Sequence, residues 1–357
     1  MKNLTLLSML LLLILAFSGC NHNPEKIIGI KIYEYNEDFN KLVDKWKEMG
    51  INTAFISTEL AADTSFRKIL KDNNIGVYII FPVFFNPALL SSDSSLYAIT
   101  DKGYIAKDDW VEFVCPSRTT YRTMKTDEAA GLIRKLTPDG LSIDFIRQFV
   151  FWEMIYPDRK TGSIDIACFC DSCVGGFCRL NGVTLPDTCV TVTQKADYIL
   201  NYYSHDWNNY RCDLITSMVK GIADKVRSVK PGIKINLHVV PWRDEDFSGA
   251  NINVAAQDLQ KIAPYVDYIS PMCYSQMLKR DPDWIVSVVN EMDRKAPGTI
   301  LPSIQVYQYY IDDPFTAEDF RECVYKALEA PSRGVVFFSW PLFGKDTIRM
   351  KIISDIM

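Results

Sequence analysis

Residues 139–147 read DGLSIDFIR and alternate with the two-residue period of a β-strand. Apolar side chains occupy every second position, whereas Ser142 and Asp144 share the opposite face. A strand of this kind suits a barrel, in which one face packs against helices and the other points inward. An open sheet covered by helices on both sides would have two apolar faces. The segment therefore predicts a barrel strand with an inward carboxylate near its C-terminal end.

Seven other apolar, β-branched runs alternate with segments of helical period. The eight predicted strands are Ile27–Tyr33, Asn52–Ser57, Gly76–Val83, Gly140–Ile146, Lys234–Val240, Val266–Met272, Ile300–Val306 and Gly334–Ser339. The predicted helices between them include Asp38–Met49, Asp63–Asp72, Tyr198–Val229, Trp284–Arg294 and Ala317–Glu329. Eight strand–helix units in one series predict a (β/α)8 TIM barrel of the α/β class over residues 27–357. A doubly wound sheet is the alternative, because it has the same alternation.

The third and fourth units are much longer than the other six. Their extra chain lies at Phe84–Thr119 and Gln148–Thr191, in both cases directly after a strand. In a barrel, the loops that follow strands form the face where catalytic residues gather. Long βα3 and βα4 loops therefore predict a functional site at this face. No repeat, low-complexity tract or linker splits off a second domain.

Charge and composition exclude several functional classes. The 357 residues include 39 basic and 44 acidic side chains, with a net charge of −5 and no basic stripe, so we expect no nucleic-acid partner. Three histidines are too few for a multi-histidine metal hydrolase. The motifs GxGxxG, GxxxxGK[ST] and GxSxG are absent from the sequence, which argues against simple nucleotide-binding and serine-hydrolase sites.

The first nineteen residues, MKNLTLLSMLLLLILAFSG, have the lysine and the leucine-rich run of a secretory signal peptide. A transmembrane anchor is the alternative, although the run is short for a membrane span. Residues 17–20, Phe-Ser-Gly-Cys, resemble a bacterial lipobox. The resemblance implies acylation of Cys20, with residues 20–26 as a spacer. It also implies a lipoprotein of the bacterial cell envelope, held at the outer membrane or the periplasmic side through its N-terminal lipid.

Two strands carry a resemblance to a known class of enzymes. Residues 139–147, and the sixth strand with VDYISPMCY at 266–274, resemble strands of uncharacterised barrel glycoside hydrolases related to the α-amylase group. Chitinase-type barrels have a similar DGxDxDxE frame, but Ser142 and Ile146 replace its middle aspartate and its catalytic glutamate. The resemblance implies an enzyme that cleaves a glycosidic bond in an oligo- or polysaccharide, with Asp144 as nucleophile.

The residues near Asp144 fit such a mechanism. Arg147 would keep the Asp144 carboxylate ionised, although a merely structural Asp144–Arg147 pair is the alternative. A second carboxyl is needed to protonate the leaving group. Glu153 is the first candidate, because four apolar neighbours could desolvate it. The alternatives are Asp244 and Glu245 after the fifth strand, and Glu34 and Glu59 after the first two.

Aromatic residues gather at the predicted C-terminal strand ends, where their faces could stack on sugar rings. His238 points inward by the same alternation and could bind a sugar hydroxyl, whereas core packing is the alternative for all of these residues. The predicted substrate-binding residues are Tyr33, Arg147, Trp152, His238, Trp242, Tyr274, Tyr307 and Trp340. A non-catalytic carbohydrate-binding barrel, with the same pocket but no acid pair, is the alternative function.

Nine cysteines follow Cys20, and three of them form a C-x-C-x2-C motif at residues 168–173. This spacing suits a tetrahedral metal and resembles the zinc site of glycoside hydrolase family 42 β-galactosidases, to which an upstream loop adds a cysteine. The resemblance implies a structural Zn²⁺ held by Cys115, Cys168, Cys170 and Cys173. Cys178 is the substitute fourth ligand. Disulfides that involve Cys178, Cys189 and Cys212 are the alternative, because the compartment is oxidising.

Overall fold

The computed structural model describes residues 26–357. The predicted signal peptide at residues 1–19, the predicted lipidation site Cys20 and the spacer up to residue 25 lie outside the described residues. Within residues 26–357, no helix is both long and apolar enough to cross a bilayer.

Eight parallel strands form the barrel. They are β1 (Ile27–Ile32), β2 (Thr53–Ile56), β3 (Gly76–Pro82), β4 (Gly140–Asp144), β5 (Lys234–Val239), β6 (Tyr268–Pro271), β7 (Ser303–Gln305) and β8 (Gly334–Trp340). Neighbours in sequence pair with each other, and β1 also pairs with β8, as an open doubly wound sheet would not allow. Isolated parallel bridges between Ile269 and Ile300 and between Met272 and Ser303 join β6 to β7. All eight predicted strands and the TIM barrel are confirmed.

Thirteen α-helices accompany the strands in residues 26–357. They are Phe39–Glu48, Thr58–Ala62, Thr64–Asp72, Pro87–Ser92, Thr119–Leu136, Asp171–Asn181, Val192–Tyr202, Ser204–Val229, Ala250–Asn253, Leu259–Ile262, Asp283–Lys295, Ala317–Leu328 and Thr347–Ile356. The predicted single helix Tyr198–Val229 is wrong, since two helices meet at Tyr203. That residue leaves the helical conformation (φ −137°, ψ 25°), and its ring packs against Phe177 at 6.3 Å between centroids.

The lower part of the barrel interior is filled by an apolar layer. Its buried members are Phe55, Tyr78, Ile80, Leu301 and Val336. Two glycines make room for the rings, because a Cβ on Gly140 would lie 2.2 Å from Tyr78 and one on Gly29 would lie 2.7 Å from Phe55. The functional cavity must therefore lie above this layer, towards the C-terminal ends of the strands.

A polar layer lies above the apolar one. The Asn236 amide donates to Ser142 Oγ at 2.9 Å, and Ser270 Oγ donates to Asn236 Oδ1 at 2.8 Å. His238 Nε2 lies 2.9 Å from the same Ser142 oxygen. These contacts join β4, β5 and β6, and they confirm that the polar side chains of these strands point inward.

The long loops after β3 and β4 pack against each other. The first contains the helix Pro87–Ser92 and a small hairpin of Lys107–Asp108 with Val111–Glu112. An antiparallel bridge joins Thr100 of the first loop to Ala167 of the second. Together the two loops form one wall above the strand ends.

Candidate active site

A cavity of about 380 Å³ lies at the C-terminal ends of the strands. This volume is within the range of small-molecule sites. Its lining is mostly aromatic, with two methionines and four charged side chains. The lining residues are Lys31, Tyr33, Phe85, Trp110, Asp144, Phe145, Arg147, Trp152, Glu153, Met272, Tyr274, Met277, Tyr309, Tyr310 and Phe338. The cavity thus contains both first-choice carboxyls from the sequence, Asp144 and Glu153.

Asp144 is the last residue of β4 and is 7% exposed. Its Oδ1 accepts a hydrogen bond of 2.7 Å from the backbone N–H of Phe145, where the chain turns through a left-handed conformation (φ 48°). Among residues 26–357, no cationic nitrogen lies within 4.0 Å of the carboxylate. The purely structural Asp144–Arg147 ion pair is therefore not formed, and the second carboxylate oxygen is not engaged by a neighbouring charge.

The pKa of Asp144 is shifted below its usual value. Burial acts in the opposite direction, but His238, Lys31, the Phe145 N–H and Arg147 together favour the ionised form. His238 is itself neutral at pH 7, because burial and the nearby Lys31 charge lower its pKa to about 3. The ammonium and the guanidinium are therefore the fixed charges that stabilise the carboxylate at neutral pH.

Glu153 lies in a short 3-10 turn, Trp152–Met154, that follows β4. Its side chain is buried, and Oε2 has no hydrogen-bond partner among the described residues. Burial raises the pKa of Glu153 to about 7, helped by the Asp144 charge and opposed by Arg147. A large part of the Glu153 population therefore carries a proton at neutral pH, whereas Asp144 does not.

Arg147 acts to lower the pKa of both carboxyls, Asp144 and Glu153. It is 2% exposed, and its guanidinium lies 4.9 Å from the ring centre of Phe113 and 5.3 Å from that of Phe145. One terminal nitrogen donates to the Val150 carbonyl at 3.2 Å. Burial lowers the pKa of Arg147, but a guanidinium remains charged at any physiological pH.

Lys31 on β1 was missed by the sequence analysis. It is 1% exposed, and its Nζ lies 3.5 Å from both His238 Nδ1 and the Tyr274 hydroxyl. Burial lowers the pKa of Lys31 to about 8, and the charge of Asp144 opposes that shift. A single lysine in the apolar strand IIGIKI was the signal that could have indicated it.

The structure brings only part of the predicted binding set to the cavity. Tyr33, Arg147, Trp152 and Tyr274 line it, and Tyr274 stacks on Phe338 with ring centres 4.9 Å apart. His238 lies beneath the cavity in the polar layer rather than in its lining.

Trp242, Tyr307 and Trp340 do not line the cavity. Trp242 packs against Phe247 at 5.5 Å between ring centres, and the Tyr307 side chain is 40% exposed. Trp340 packs edge-on against Trp46 of the first helix.

The position of Trp340 follows from an irregularity in β8. Ile30 pairs with Phe337, but Ile32 pairs with Trp340, so β8 has one extra residue over this span. An extra residue in a strand reverses the faces of the residues that follow it. Phe338 points into the cavity, as regular alternation from the inward Val336 gives, whereas Trp340 follows the extra residue and points outward against Trp46.

The remaining lining residues come from loops. Trp110, from the loop after β3, donates its indole N–H to the Tyr310 hydroxyl at 2.9 Å. Tyr310 lies after β7, so this hydrogen bond joins loops from opposite sides of the barrel. Phe85 stacks on Phe145 at 4.6 Å. Strand alternation gives no information on such residues, because they lie outside the strands.

The alternative acids lie away from the cavity. Asp244 pairs with Lys295 at 2.5 Å, and the exposed side chain of Glu245 pairs with Arg243 at 2.6 Å. Glu34 and Glu59 are also exposed. None of these carboxyls lines the cavity, whereas Glu153 lines it together with Asp144.

Four buried thiols form a separate group behind the cavity wall. They are Cys115, Cys168, Cys170 and Cys173, and their sulfur atoms all lie within 4.8 Å of one another. Cys115 Sγ lies 3.3 Å from Cys170 Sγ and 3.5 Å from Cys173 Sγ. Ligand sulfurs about 2.3 Å from a tetrahedral metal are separated by roughly 3.8 Å, so the group is close enough to hold one metal ion.

The thiol group links the two long loops. Cys115 follows β3, and the other three members follow β4. Cys178, Cys189 and Cys212 lie outside the group, and all nine cysteines of residues 26–357 are free thiols.

Comparison by sequence finds no matching family model and no matching curated protein. Among solved structures, the chain is similar to the PgaB (BpsB) glycoside hydrolase domain from Bordetella bronchiseptica, with a TM-score of 0.69 and 10% identity over 94% of this chain and 99% of that one. It is also similar to the β-galactosidase of Marinomonas ef1, with a TM-score of 0.66 and 11% identity over 92% of this chain and 58% of that one.

A further similar structure is a family 42 β-galactosidase from G. stearothermophilus, with a TM-score of 0.59 and 12% identity over 94% of this chain and 56% of that one. The chain thus spans little more than half the length of the β-galactosidases that it matches. These likenesses extend over nearly the whole described chain. The protein has the (β/α)8 barrel fold that these glycoside hydrolases share.

Proposed function

We propose that the protein is a glycoside hydrolase that cleaves a glycosidic bond in an oligo- or polysaccharide. Asp144 is its ionised carboxylate, and Glu153 is its acid and base. The observation that carries the proposal is that both carboxyls line one cavity and that their pKa values shift in opposite directions. A glycosidase needs one carboxyl that stays charged and one that holds a proton at working pH.

The proposed reaction assigns one proton transfer to each half of the cycle. Glu153 donates its proton to the oxygen of the leaving group as the bond to the anomeric carbon breaks. Asp144 supplies negative charge to that carbon, either by bonding to it or by stabilising its oxocarbenium character. Glu153, now ionised, takes a proton from the water that completes hydrolysis, so the enzyme returns to its starting state.

The cavity lining supports a sugar as substrate. Among the lining residues, Tyr33, Trp110 and Tyr310 are exposed, and their rings offer faces on which the C–H groups of a pyranose can stack. The fold likeness to glycoside hydrolases is a second, weaker support.

Two further parts of the proposal lie outside the cavity. We propose that the ion held by the four thiols is a structural Zn²⁺, because four thiolates leave no open position for substrate.

We also propose that the chain is secreted and anchored to the bacterial cell envelope by a lipid on Cys20. Incorporation of labelled palmitate into the wild type, and its loss in Cys20→Ala, tests the anchor.

A panel of aryl glycosides and glycans tests the activity. We expect turnover by the wild type and a loss of about 10³-fold or more in Asp144→Asn and in Glu153→Gln. Asp244→Asn, which removes a surface carboxylate paired with Lys295, is the matched substitution and should retain turnover. Unchanged turnover in Asp144→Asn would refute the assignment. Glycan binding without any turnover would instead indicate a carbohydrate-binding barrel.

A further inference from the structure

Lys31 is a buried charge with no adjacent counter-ion. Its ammonium lies inside the barrel between the polar layer and the cavity, and the side chain is 1% exposed. Among residues 26–357, no carboxylate oxygen lies within 4.0 Å of its Nζ. An ionised group in such a place is costly unless hydrogen bonds and a nearby opposite charge compensate it.

The nearest neighbours of Lys31 are two neutral acceptors. His238 Nδ1 and the Tyr274 hydroxyl both lie 3.5 Å from its Nζ. Because the ammonium can only donate, Nδ1 must carry a lone pair, and the imidazole proton is then on Nε2, facing Ser142 Oγ at 2.9 Å. The polar layer therefore fixes the position of the ammonium but does not neutralise it.

The charges that face this position all belong to the cavity. Arg147 has the same sign as Lys31, and the phenols of Tyr33 and Tyr274 are neutral, since burial raises the pKa of both. Glu153 has a pKa of about 7, so it carries only part of a negative charge at neutral pH, and Lys31 is not among the groups that shift its pKa. Asp144 lines the same cavity as Lys31 and is the carboxylate that stays ionised at neutral pH, and each of the two favours the charged form of the other.

We propose that Lys31 is a positioning residue whose ammonium, held by His238 and Tyr274, is the counter-charge that keeps Asp144 ionised for the reaction. This role rests on the proposed glycoside hydrolase function, but the electrostatic coupling of Lys31 to Asp144 does not. Lys31 acts through Asp144 and has no part in proton transfer to the leaving group. The coupling and the catalytic consequence can therefore be tested separately.

A double-mutant cycle tests the coupling without any substrate. Urea unfolding at pH 7 is measured for the wild type, Lys31→Met, Asp144→Asn and the double variant. Each single variant leaves one charge of the Lys31–Asp144 pair without the other, whereas the double variant removes both charges of the pair. If the two charges interact, the double variant should lose less stability than the two single variants lose together. We therefore expect its unfolding midpoint at a higher urea concentration than additive single shifts would give.

Lys125→Met is the matched control. Lys125 is also a buried lysine, but it lies on the helix Thr119–Leu136, pairs with Glu128 at 2.8 Å and sits over the Phe81 ring. Its shift should add to that of Asp144→Asn. If Lys31→Met alone does not fold, recovery of folded protein in the double variant supports the coupling. Additive shifts, or no such recovery, would overturn it.

The pH profile of kcat/KM tests the catalytic consequence on the aryl glycoside with the highest turnover. In Lys31→Met the pKa of Asp144 rises, so the acid limb should move to higher pH. The alkaline limb, which depends on Glu153, should stay in place. Lys31→Arg keeps the positive charge and should restore the acid limb. A uniform fall in kcat/KM with both limbs unmoved would overturn the positioning role, whatever the outcome for the proposed function.

Discussion

The floor and the wall of the cavity each contain a buried carboxyl, and the groups around the two carboxyls differ. Asp144, on the floor at the end of β4, is 7% exposed, and Glu153, in the loop that forms the wall, is 9% exposed. The floor supplies a backbone N–H and the charge of Lys31, whereas the wall leaves Glu153 Oε2 without a partner, and Arg147 acts on both carboxyls. Similar burial is therefore accompanied by opposite pKa shifts, because the neighbouring groups differ.

The largest expected effect comes from the thiol group, which ties the wall together. We expect about one zinc per chain by elemental analysis. Cys170→Ser should lower the free energy of unfolding by about 4 kcal/mol, because a structural metal site is lost. Denaturant unfolding measures this change in the free energy of unfolding. In the same variant the pKa of Glu153 should fall, because the loosened loops admit water, whereas the pKa of Asp144 should stay low.

Cys189→Ser is the control for this effect, since Cys189 is a half-buried thiol outside the group. It should alter the free energy of unfolding by less than about 1 kcal/mol. Equal stability of Cys170→Ser and Cys189→Ser would show that the four thiols do not tie the loops.

The next effect is the pH dependence of stability, which has opposite signs for the two carboxyls. The pKa of Glu153 is about 7 in the folded protein against an ordinary 4.5, so the unfolded chain releases this proton first as pH rises. Glu153 therefore lowers stability progressively between these values, by about 3 kcal/mol in total. Glu153→Gln should remove that loss, as urea unfolding at pH 4 and pH 8 would measure.

Asp144 provides the opposite case in the same experiment. Its pKa is below the ordinary 3.8 when folded, so it contributes stability above that pH, and the contribution is lost as pH falls through the folded pKa. Asp144→Asn should therefore be least harmful to stability in acid. The same pH dependence in both variants would remove the distinction between floor and wall.

The smallest effect separates the aromatic residues that line the cavity from those that do not. Trp152→Phe should lower kcat/KM roughly tenfold, because the smaller ring loosens the packing against Tyr274 in the cavity lining. Trp242→Phe, against Phe247 outside the cavity, should change kcat/KM by less than about twofold. A larger fall in Trp242→Phe than in Trp152→Phe would contradict the site as assembled from the structure.

The floor could be predicted from the sequence, because it is built from strands. Two-residue alternation is a local property, and it correctly placed Ser142, Asp144 and His238 on the inner face. Lys31 follows the same alternation, so its inward position could also have been predicted from the single charged residue in its apolar strand. Trp340 was misplaced because nothing in the local sequence marks the extra residue in β8.

The wall could be predicted only in outline. The two long intervals between strands located its loops, and the apolar neighbours of Glu153 indicated a desolvated carboxyl. The positions of Trp110, Tyr309 and Tyr310 depend on contacts between loops that are far apart in sequence, such as the hydrogen bond from Trp110 to Tyr310. Such contacts have no periodic signal.

A carboxyl titration by NMR tests the central claim most directly. Protein labelled with ¹³C at the aspartate and glutamate side-chain carboxyls is titrated from pH 2 to 9, with Asp144→Asn and Glu153→Gln identifying the two signals. We expect Glu153 to titrate near pH 7 and Asp144 below 3.8. Ordinary pKa values for both groups, or a raised pKa at Asp144 with an ordinary one at Glu153, would contradict the account.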